Sequence, residues 1–274
     1  IDTARTVLGP RHPRVAELYA RHAAILLEAD KDQEALAAAT EAMEILEGAG
    51  AEQTSVVANA ELNLGATLLK AGHPAAEAHL SRARRILAES VGEVHPDIAL
   101  VDSNLALLYN DRGEHDKAIA MLRNATRIQR EMLGPDHEEL ADGLYNLAVA
   151  ERAAGKLDDA LASSTRCHEI LAKRQPDSLR HGAALVHVAL VQNLRGHHAE
   201  ALEAATAAIA LPSSAPAESQ IGAWARLEAA RAVIGLGKDP ARAHELLAQA
   251  RARYAGLRMK DRVAEIDGEL ARLP

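Results

Sequence analysis

The sequence is poor in aromatic side chains. Of its 274 residues only 2% are Phe, Trp or Tyr, and phenylalanine is absent altogether. Aromatic rings contribute much of the buried area in most protein cores, so their scarcity argues against a thick sheet-based core. Alanine and leucine are left to fill the interior, which favours α-helices in close contact with one another.

Cysteines and long apolar runs are scarce as well. Cys167 is the single cysteine, so the chain has no internal disulfide, and we expect a reducing, cytoplasmic location. No apolar run approaches the roughly 20 residues that cross a bilayer, and we expect no membrane partner. The net charge of -8 argues against nucleic acid as a partner, because phosphate binding requires a basic face.

Small residues, in contrast, recur in a fixed register. We call a set of equivalent positions in successive repeats a column. The members of one column are 42, 41, 42, 41 and 41 residues apart, and two other columns keep the same register. Where two helices cross closely, any side chain larger than a methyl group would push their axes apart. The columns therefore predict six pairs of packed helices: Ala23, Gly65, Ala106, Ala148, Ala189 and Ala230; Ala35, Ala76, Ala118, Ala160, Ala201 and Ala243; Ala42, Ala83, Ala125, Cys167, Ala208 and Ala250.

Two further columns mark the ends of these helices. The first predicts turns with positive φ, since five of its six members are glycine. The second alternates histidine with Ser and Thr, which are preferred helix N-caps. We therefore interpret its histidines as caps, with metal ligation as the weaker alternative, because they would lie one repeat apart. The turn column is Asp30, Gly72, Gly113, Gly155, Gly196 and Gly237, and the cap column is His12, Thr54, His95, His137, Ser178 and Ser219.

Small residues at this spacing in two successive helices resemble the tetratricopeptide repeat (TPR), whose basic unit has about 34 residues. The longer repeat seen here has LGPRHP at 8–13 and LGPDH at 133–137. It resembles the 42-residue repeats of kinesin light chain and of many bacterial signalling proteins. The resemblance covers nearly the whole chain. It implies an all-α fold, a right-handed α-solenoid of helix-turn-helix repeats.

The resemblance also implies a division of the chain into repeats. We expect residues 1–274 to form a single solenoid that was cut from a longer protein. Its last segment carries an apolar stripe of Leu257, Val263, Ile266 and Leu270, which predicts a capping helix. The expected parts are the tail of a preceding repeat at 1–8, repeats at 12–50, 54–90, 95–132, 137–174, 178–211 and 219–256, and the capping helix at 257–272.

One polar column of the first helices indicates a binding face. It reads Arg21, Asn63, Asn104, Asn146, His187 and Glu228, although asparagine is a poor helix former. In the resembled family this face lines the concave groove, where asparagine amides hold the backbone of a bound peptide. Asn110, Arg152 and Asn193 lie further along the same helices and could add contacts. The alternative is that these asparagines bond to neighbouring helices or to water.

Nothing in the sequence indicates catalysis. Cys167 replaces alanine in a packing column, which is typical of a small apolar filler. We therefore expect no enzyme, no metal and no cofactor. We interpret the chain as a protein- or peptide-binding region of a longer bacterial protein, and other domains of the same polypeptide are possible partners. The alternative is a sensor region that controls a fused kinase, nucleotide switch or caspase-like peptidase by binding a small ligand or its own chain.

Overall fold

The computed structural model describes residues 1–48, 55–214, 216 and 219–273. In these ranges the chain forms fourteen α-helices, one 3-10 turn and no strand. The all-α prediction is therefore confirmed. The helices are α1 (Asp2–Leu8), α2 (Pro13–Glu28), α3 (Asp32–Gly48), α4 (Ser55–Lys70), α5 (Ala76–Val91), α6 (Pro96–Asp111), α7 (His115–Leu133), α8 (Glu138–Ala153), α9 (Leu157–Arg174), α10 (Leu179–Leu194), α11 (His198–Ala210), α12 (Gln220–Gly235), α13 (Pro240–Gly256) and α14 (Lys260–Leu270), with the 3-10 turn at Pro212–Ser214.

The helices form two compact units, divided between Met132 and Leu133. In unit 1, α2 pairs with α3 and α4 pairs with α5, while α4 also packs against α2 and α6. In unit 2 the pairs are α8 with α9, α10 with α11, and α12 with α13. These adjacent helix pairs are the α-solenoid type of repeat that the sequence predicts. That all the repeats act as one array stays a prediction.

The small-residue columns lie in the helix interfaces, as predicted. Every member is buried, including Cys167, which is 1% exposed in the place of an alanine. Gly65 shows how close the contact is, because a Cβ atom there would lie 2.7 Å from Cγ of Leu80. The packing density of these interfaces therefore depends on side chains no larger than a methyl group.

The turn column adopts the predicted backbone conformation. All six residues have positive φ, including Asp30 at 56° and Gly113 at 76°. At Gly113, the N–H of Glu114 donates to the carbonyl of Tyr109 at 2.8 Å, and the N–H of Gly113 donates to Asn110 at 3.0 Å. This pair of bonds is the Schellman motif, which satisfies the last carbonyls of a helix. The first helix of each pair therefore ends at the turn that its sequence predicts.

The cap column is also confirmed where it is described. Nδ1 of His95 accepts from the backbone N–H of Asp97 at 3.2 Å, and His12 and His137 make the same bond. Ser178 and Ser219 cap α10 and α12 through their hydroxyl groups. Thr54 lies outside the described residues. These histidines are thus committed to helix starts through one ring nitrogen.

The last helix covers the end of unit 2. α14 packs against α13, and Ile266 is fully buried. Leu257, Val263 and Leu270 pack against the same cluster, as the apolar stripe predicts. Within the described ranges, none of the helices combines the length and apolar character needed to cross a membrane.

Candidate peptide-binding faces

In unit 1, three predicted binding residues lie on first helices that pack side by side. Arg21 is on α2, Asn63 on α4 and Asn104 on α6, and α4 contacts both of the others. The Arg21 side chain is 64% exposed and pairs at 3.0 Å with Glu17, one turn earlier on its own helix. We refer to these three residues as the unit 1 face.

The amides of the unit 1 face make no bond to a neighbouring helix. Asn63 is half-buried, and its amide has no hydrogen-bond partner among the described residues. Nδ2 of Asn104 donates to the carbonyl of Leu100 on its own helix at 3.0 Å, which leaves Oδ1 without a protein donor in the described ranges. The alternative of bonds to neighbouring helices therefore does not describe these two side chains.

Two exposed leucines flank Asn104, and the sequence reasoning did not single them out. Leu100 is 53% exposed and Leu107 is 44% exposed. They lie four residues before and three residues after Asn104, so all three share one face of α6. In the sequence they could not be told from core leucines, because Leu105 and Leu108 of the same helix are buried.

Asn110 has a different role. Its Oδ1 lies 3.0 Å from Nδ1 of His115, the first residue of α7. The contact bridges the turn between α6 and α7. Asn110 therefore stabilises the hairpin, and its carbonyl oxygen is already in use.

In unit 2, more residues of this column are buried in contacts with other side chains. Asn146 on α8 is half-buried, and its amide has no hydrogen-bond partner among the described residues. His187 on α10 is 1% exposed and meets the Tyr145 ring edge-on, with 5.6 Å between ring centres. Nε of Arg152 lies 3.4 Å from Nε2 of His187. The structure thus brings Arg152 and His187 together in a buried contact.

The environment of His187 keeps its ring neutral. Burial, followed by the charge of Arg152, lowers the pKa of His187 to about 4. Because the guanidinium faces Nε2, the ring proton belongs on Nδ1, yet Nδ1 is buried and has no hydrogen-bond partner in the described part of the chain. A buried donor of this kind leaves a hydrogen bond available to a ligand or a water molecule.

Asn193 is part of a network that joins α10, α12 and α14. Its Nδ2 donates to Oε2 of Glu228 at 3.0 Å, and its Oδ1 lies 3.2 Å from Nδ1 of His198. Glu228 is fully buried and pairs with Arg231 at 3.0 Å. Arg231 in turn contacts Glu265 at 2.5 Å and Glu269 at 2.7 Å. Desolvation raises the pKa of Glu228, against the pull of Arg231 and Asn193.

The sequence reasoning placed Glu228 in the column but missed this network. The only available signal was the pair Glu228 and Arg231, three residues apart on one helix. The glutamates of α14 come 34 and 38 residues after Arg231, and no local pattern connects them to it.

Two hydroxyl or thiol side chains that could act as nucleophiles, Cys167 and Ser163, are buried or hydrogen-bonded. Burial raises the pKa of the Cys167 thiol to about 12, so the nucleophilic thiolate is scarce at neutral pH. Ser163 donates to the Glu151 carboxylate at 2.8 Å. In the described ranges, no three His, Cys, Asp or Glu side chains converge in a way that could hold a metal ion.

The helix pairs and their buried small residues define a helical-repeat protein. Residues 97–173 match the family model described as tetratricopeptide repeat. The helix pairs on either side of this segment have the same fold. Repeats of this fold are generally protein-binding.

Solved structures with TPR-type repeats resemble the chain. One, from Podospora anserina, has nearly identical TPR-like repeats of the kinesin-light-chain kind; it is 24% identical, with a TM-score of 0.62, over 72% of this chain and 94% of the other. BtubC from P. vanneervenii is 18% identical, with a TM-score of 0.61, over 90% and 91%. A Rap protein in complex with Competence and Sporulation Factor is 15% identical, with a TM-score of 0.57, over 93% and 70%. These likenesses show the fold alone. A comparison with curated proteins gave no match.

Proposed function

We propose that the chain is a non-catalytic binding module that holds an extended polypeptide segment on its first helices. The observation that carries this proposal is the set of uncommitted asparagine amides. Asn63, Asn104 and Asn146 occupy one column, are half-buried, and make no bond to another helix in the described ranges. Asn110, Asn124 and Asn193 bond to other side chains within their units. Asn59, one turn before Asn63 on α4, is likewise half-buried and without a partner in the described ranges, so the open amides lie on the face that the resemblance assigns to peptide binding.

The chemistry of an amide suits an extended backbone. An asparagine side chain both donates and accepts, as a peptide group does, so it can bond to a backbone whatever the partner's sequence. On the unit 1 face, Asn63 and Asn104 lie on adjacent helices, and Leu100 and Leu107 add exposed apolar area beside them. Apolar contact supplies affinity and the amides supply orientation. The segment recognised is therefore extended, with apolar side chains beside the backbone that bonds to Asn104.

The proposal is tested with peptides selected from a random-sequence display library against the chain of residues 1–274. Changing Asn63 and Asn104 together to Ala should weaken the selected peptides about tenfold, because two hydrogen bonds contribute about 0.5–1.5 kcal/mol each. The dissociation constants would be measured by isothermal titration calorimetry, with helicity followed by circular dichroism.

A matched control uses α3, which carries neither of these asparagines. Gln33 and Thr40 are exposed polar residues of α3, and changing both to Ala should leave peptide affinity within twofold. Equal affinity for the wild type and for the Asn63→Ala, Asn104→Ala double variant would overturn the proposal for the unit 1 face. Asn146→Ala tests unit 2 in the same way, without reference to unit 1.

A further inference from the structure

The charge of the unit 1 face differs from one edge to the other. Residues 1–27 contain four arginines and two carboxylates, although the whole chain has a net charge of -8. Arg14 and Arg21 belong to α2 and are seven residues apart, so they lie on the same side of that helix. Both side chains are exposed. They form the α2 edge of the unit 1 face.

Both arginines keep N–H donors that the described part of the protein does not use. Nη2 of Arg21 pairs with Oε1 of Glu17 at 3.0 Å, and the other side-chain donors of Arg21 have no partner in the described ranges. The Arg14 side chain has no partner there either. Further along α2, Glu28 is offset by Lys70 of α4, at 3.8 Å. A guanidinium presents five N–H donors in a fixed fork, so Arg21 can bind a second carboxylate while it holds Glu17.

The opposite edge of the unit 1 face, on α6, has a different character. Residues 96–111 contain no lysine or arginine, and Leu100 and Leu107 are exposed there. Asp97 and Asp111 lie near the two ends of the helix. A carboxylate on a bound segment is consequently attracted to the α2 edge and repelled from the α6 edge, while an apolar side chain is favoured at the α6 edge.

The distance between the two edges sets a spacing along the segment. α4 contacts both α2 and α6 and therefore separates the edges by two helix-to-helix steps. Axes of packed helices are about 8–10 Å apart, so the edges lie roughly 16–20 Å from each other. An extended chain advances about 3.3 Å per residue. A segment that crosses from the α2 edge to the α6 edge therefore spans about five or six residues.

We propose that the segment bound to the unit 1 face carries an acidic side chain at the α2 edge and an aliphatic side chain about five or six residues away, at the α6 edge. This inference rests on the proposed function and adds the chemistry of the partner. The carboxylate accepts hydrogen bonds from Arg14 and Arg21, which are strong because both partners are charged. The asparagine amides between the edges hold the backbone. Arg14 is thus a residue that determines specificity, although the sequence did not place it in the site.

The peptides selected against the chain of residues 1–274 test this inference. Their sequences should be enriched in an acidic and an aliphatic residue about five or six positions apart. Changing Arg14 and Arg21 together to Gln should weaken these peptides about tenfold at low salt, because each exposed ion pair contributes up to about fivefold in affinity. The difference should shrink at about 1 M salt, where charges are screened beyond about 3 Å. Isothermal titration calorimetry measures both values.

Two controls separate the ion pairs from a loss of structure. Arg85→Gln with Arg130→Gln removes the same charge from exposed positions of α5 and α7, and it should leave the affinity within about twofold. A peptide whose acidic residues are replaced by Gln should bind the wild type about tenfold more weakly. The same peptide should bind the Arg14, Arg21 double variant no more weakly than the parent peptide does, since the interaction is already lost.

The outcomes distinguish this inference from the proposed function. Equal affinity of the wild type and the Arg14, Arg21 double variant would overturn the inference, while weaker binding by the Asn63→Ala, Asn104→Ala double variant would leave the proposed function in place. If neither double variant changes the affinity, or if no peptide is selected, both proposals are wrong. Binding of a single-stranded oligonucleotide that displaces the peptide and depends on Arg14 would assign the arginines to phosphate, and this result would also overturn the inference.

Discussion

The same column of residues serves two different purposes in units 1 and 2. In unit 1, Asn63 and Asn104 face outward with amides that no neighbouring helix of the described ranges uses. In unit 2, Asn146 is likewise half-buried and without a partner in the described ranges, but His187 and Glu228 hold the next two positions of the column and are 1% and 0% exposed. Each makes a polar contact with a residue of another helix or turn of its own unit.

This difference separates recognition from stability. A half-buried amide that bonds to no other helix contributes little to folding, so it is available for a ligand. A buried ion pair is strongly coupled to folding, because removal of one partner leaves a desolvated charge. We therefore expect substitutions of the open asparagines to affect binding, and substitutions of His187 and of the residues paired with Glu228 to affect unfolding. Four experiments test this contrast.

The largest expected effect is at Arg231. Arg231→Ala should lower the free energy of unfolding by about 3–5 kcal/mol, because the buried Glu228 loses its cation. Urea denaturation followed by circular dichroism measures this change. Arg21→Ala in unit 1, where the ion pair is exposed, should change it by less than about 0.5 kcal/mol. Similar losses for the two variants would remove the distinction between the units.

The second effect is the acid sensitivity of His187. Its folded-state pKa of about 4 lies below the ordinary 6.5, so between these values the unfolded chain binds a proton that the folded chain does not. Stability should therefore fall as the pH drops from 6.5 to 4, by up to about 3 kcal/mol. Denaturation curves at pH 7 and 4.5 should show a smaller acid loss for His187→Leu. The exposed His197, changed to Gln, should retain the wild-type loss.

A third experiment compares two helical glycines. Gly65→Ala in unit 1 should destabilise the chain by about 1–3 kcal/mol, because the new Cβ meets the fully buried Leu80. A Cβ atom added at Gly268 of α14 would have no neighbour within 4 Å among the described residues, so Gly268→Ala should be neutral or slightly stabilising. Thermal unfolding of both variants measures the difference. If Gly65→Ala does not change the stability, the α4–α5 interface can accommodate an additional methyl group.

The smallest effect concerns the histidine caps. His95→Ala should cost about 1 kcal/mol through loss of the bond to the N–H of Asp97. His95→Ser should restore most of it, since serine already caps α10 and α12 in unit 2. Equilibrium unfolding in urea distinguishes the two variants. Equal destabilisation by Ala and Ser would show that the histidine acts through its ring contacts and not as a cap.

Much of the fold was predictable because its determinants are local. A helix end depends on one backbone angle and one side-chain acceptor, and the residues that supply them can be recognised within a few positions of the sequence. Asp30 and the five glycines adopt positive φ, and His95 caps α6 as its column predicts. The small residues were equally informative, because close approach of two helices excludes larger side chains wherever the pair recurs.

The candidate site was less predictable, since its chemistry depends on partners far along the chain. Asn146 and Asn193 are both asparagines of first helices, yet only Asn193 meets Glu228, 35 residues later. Leu107 and Leu108 are adjacent leucines, of which one is exposed and the other buried. None of these distinctions follows from residue type.

The helix pairs, their turns and their close packing follow from the sequence, because each of these depends on residues within one repeat and recurs in register. Which polar side chains are free to bind a partner depends on the tertiary structure. Hydrogen bonds between helices satisfy some amides and carboxylates and leave others open, and the choice depends on distances of a few ångströms between residues that the sequence keeps far apart.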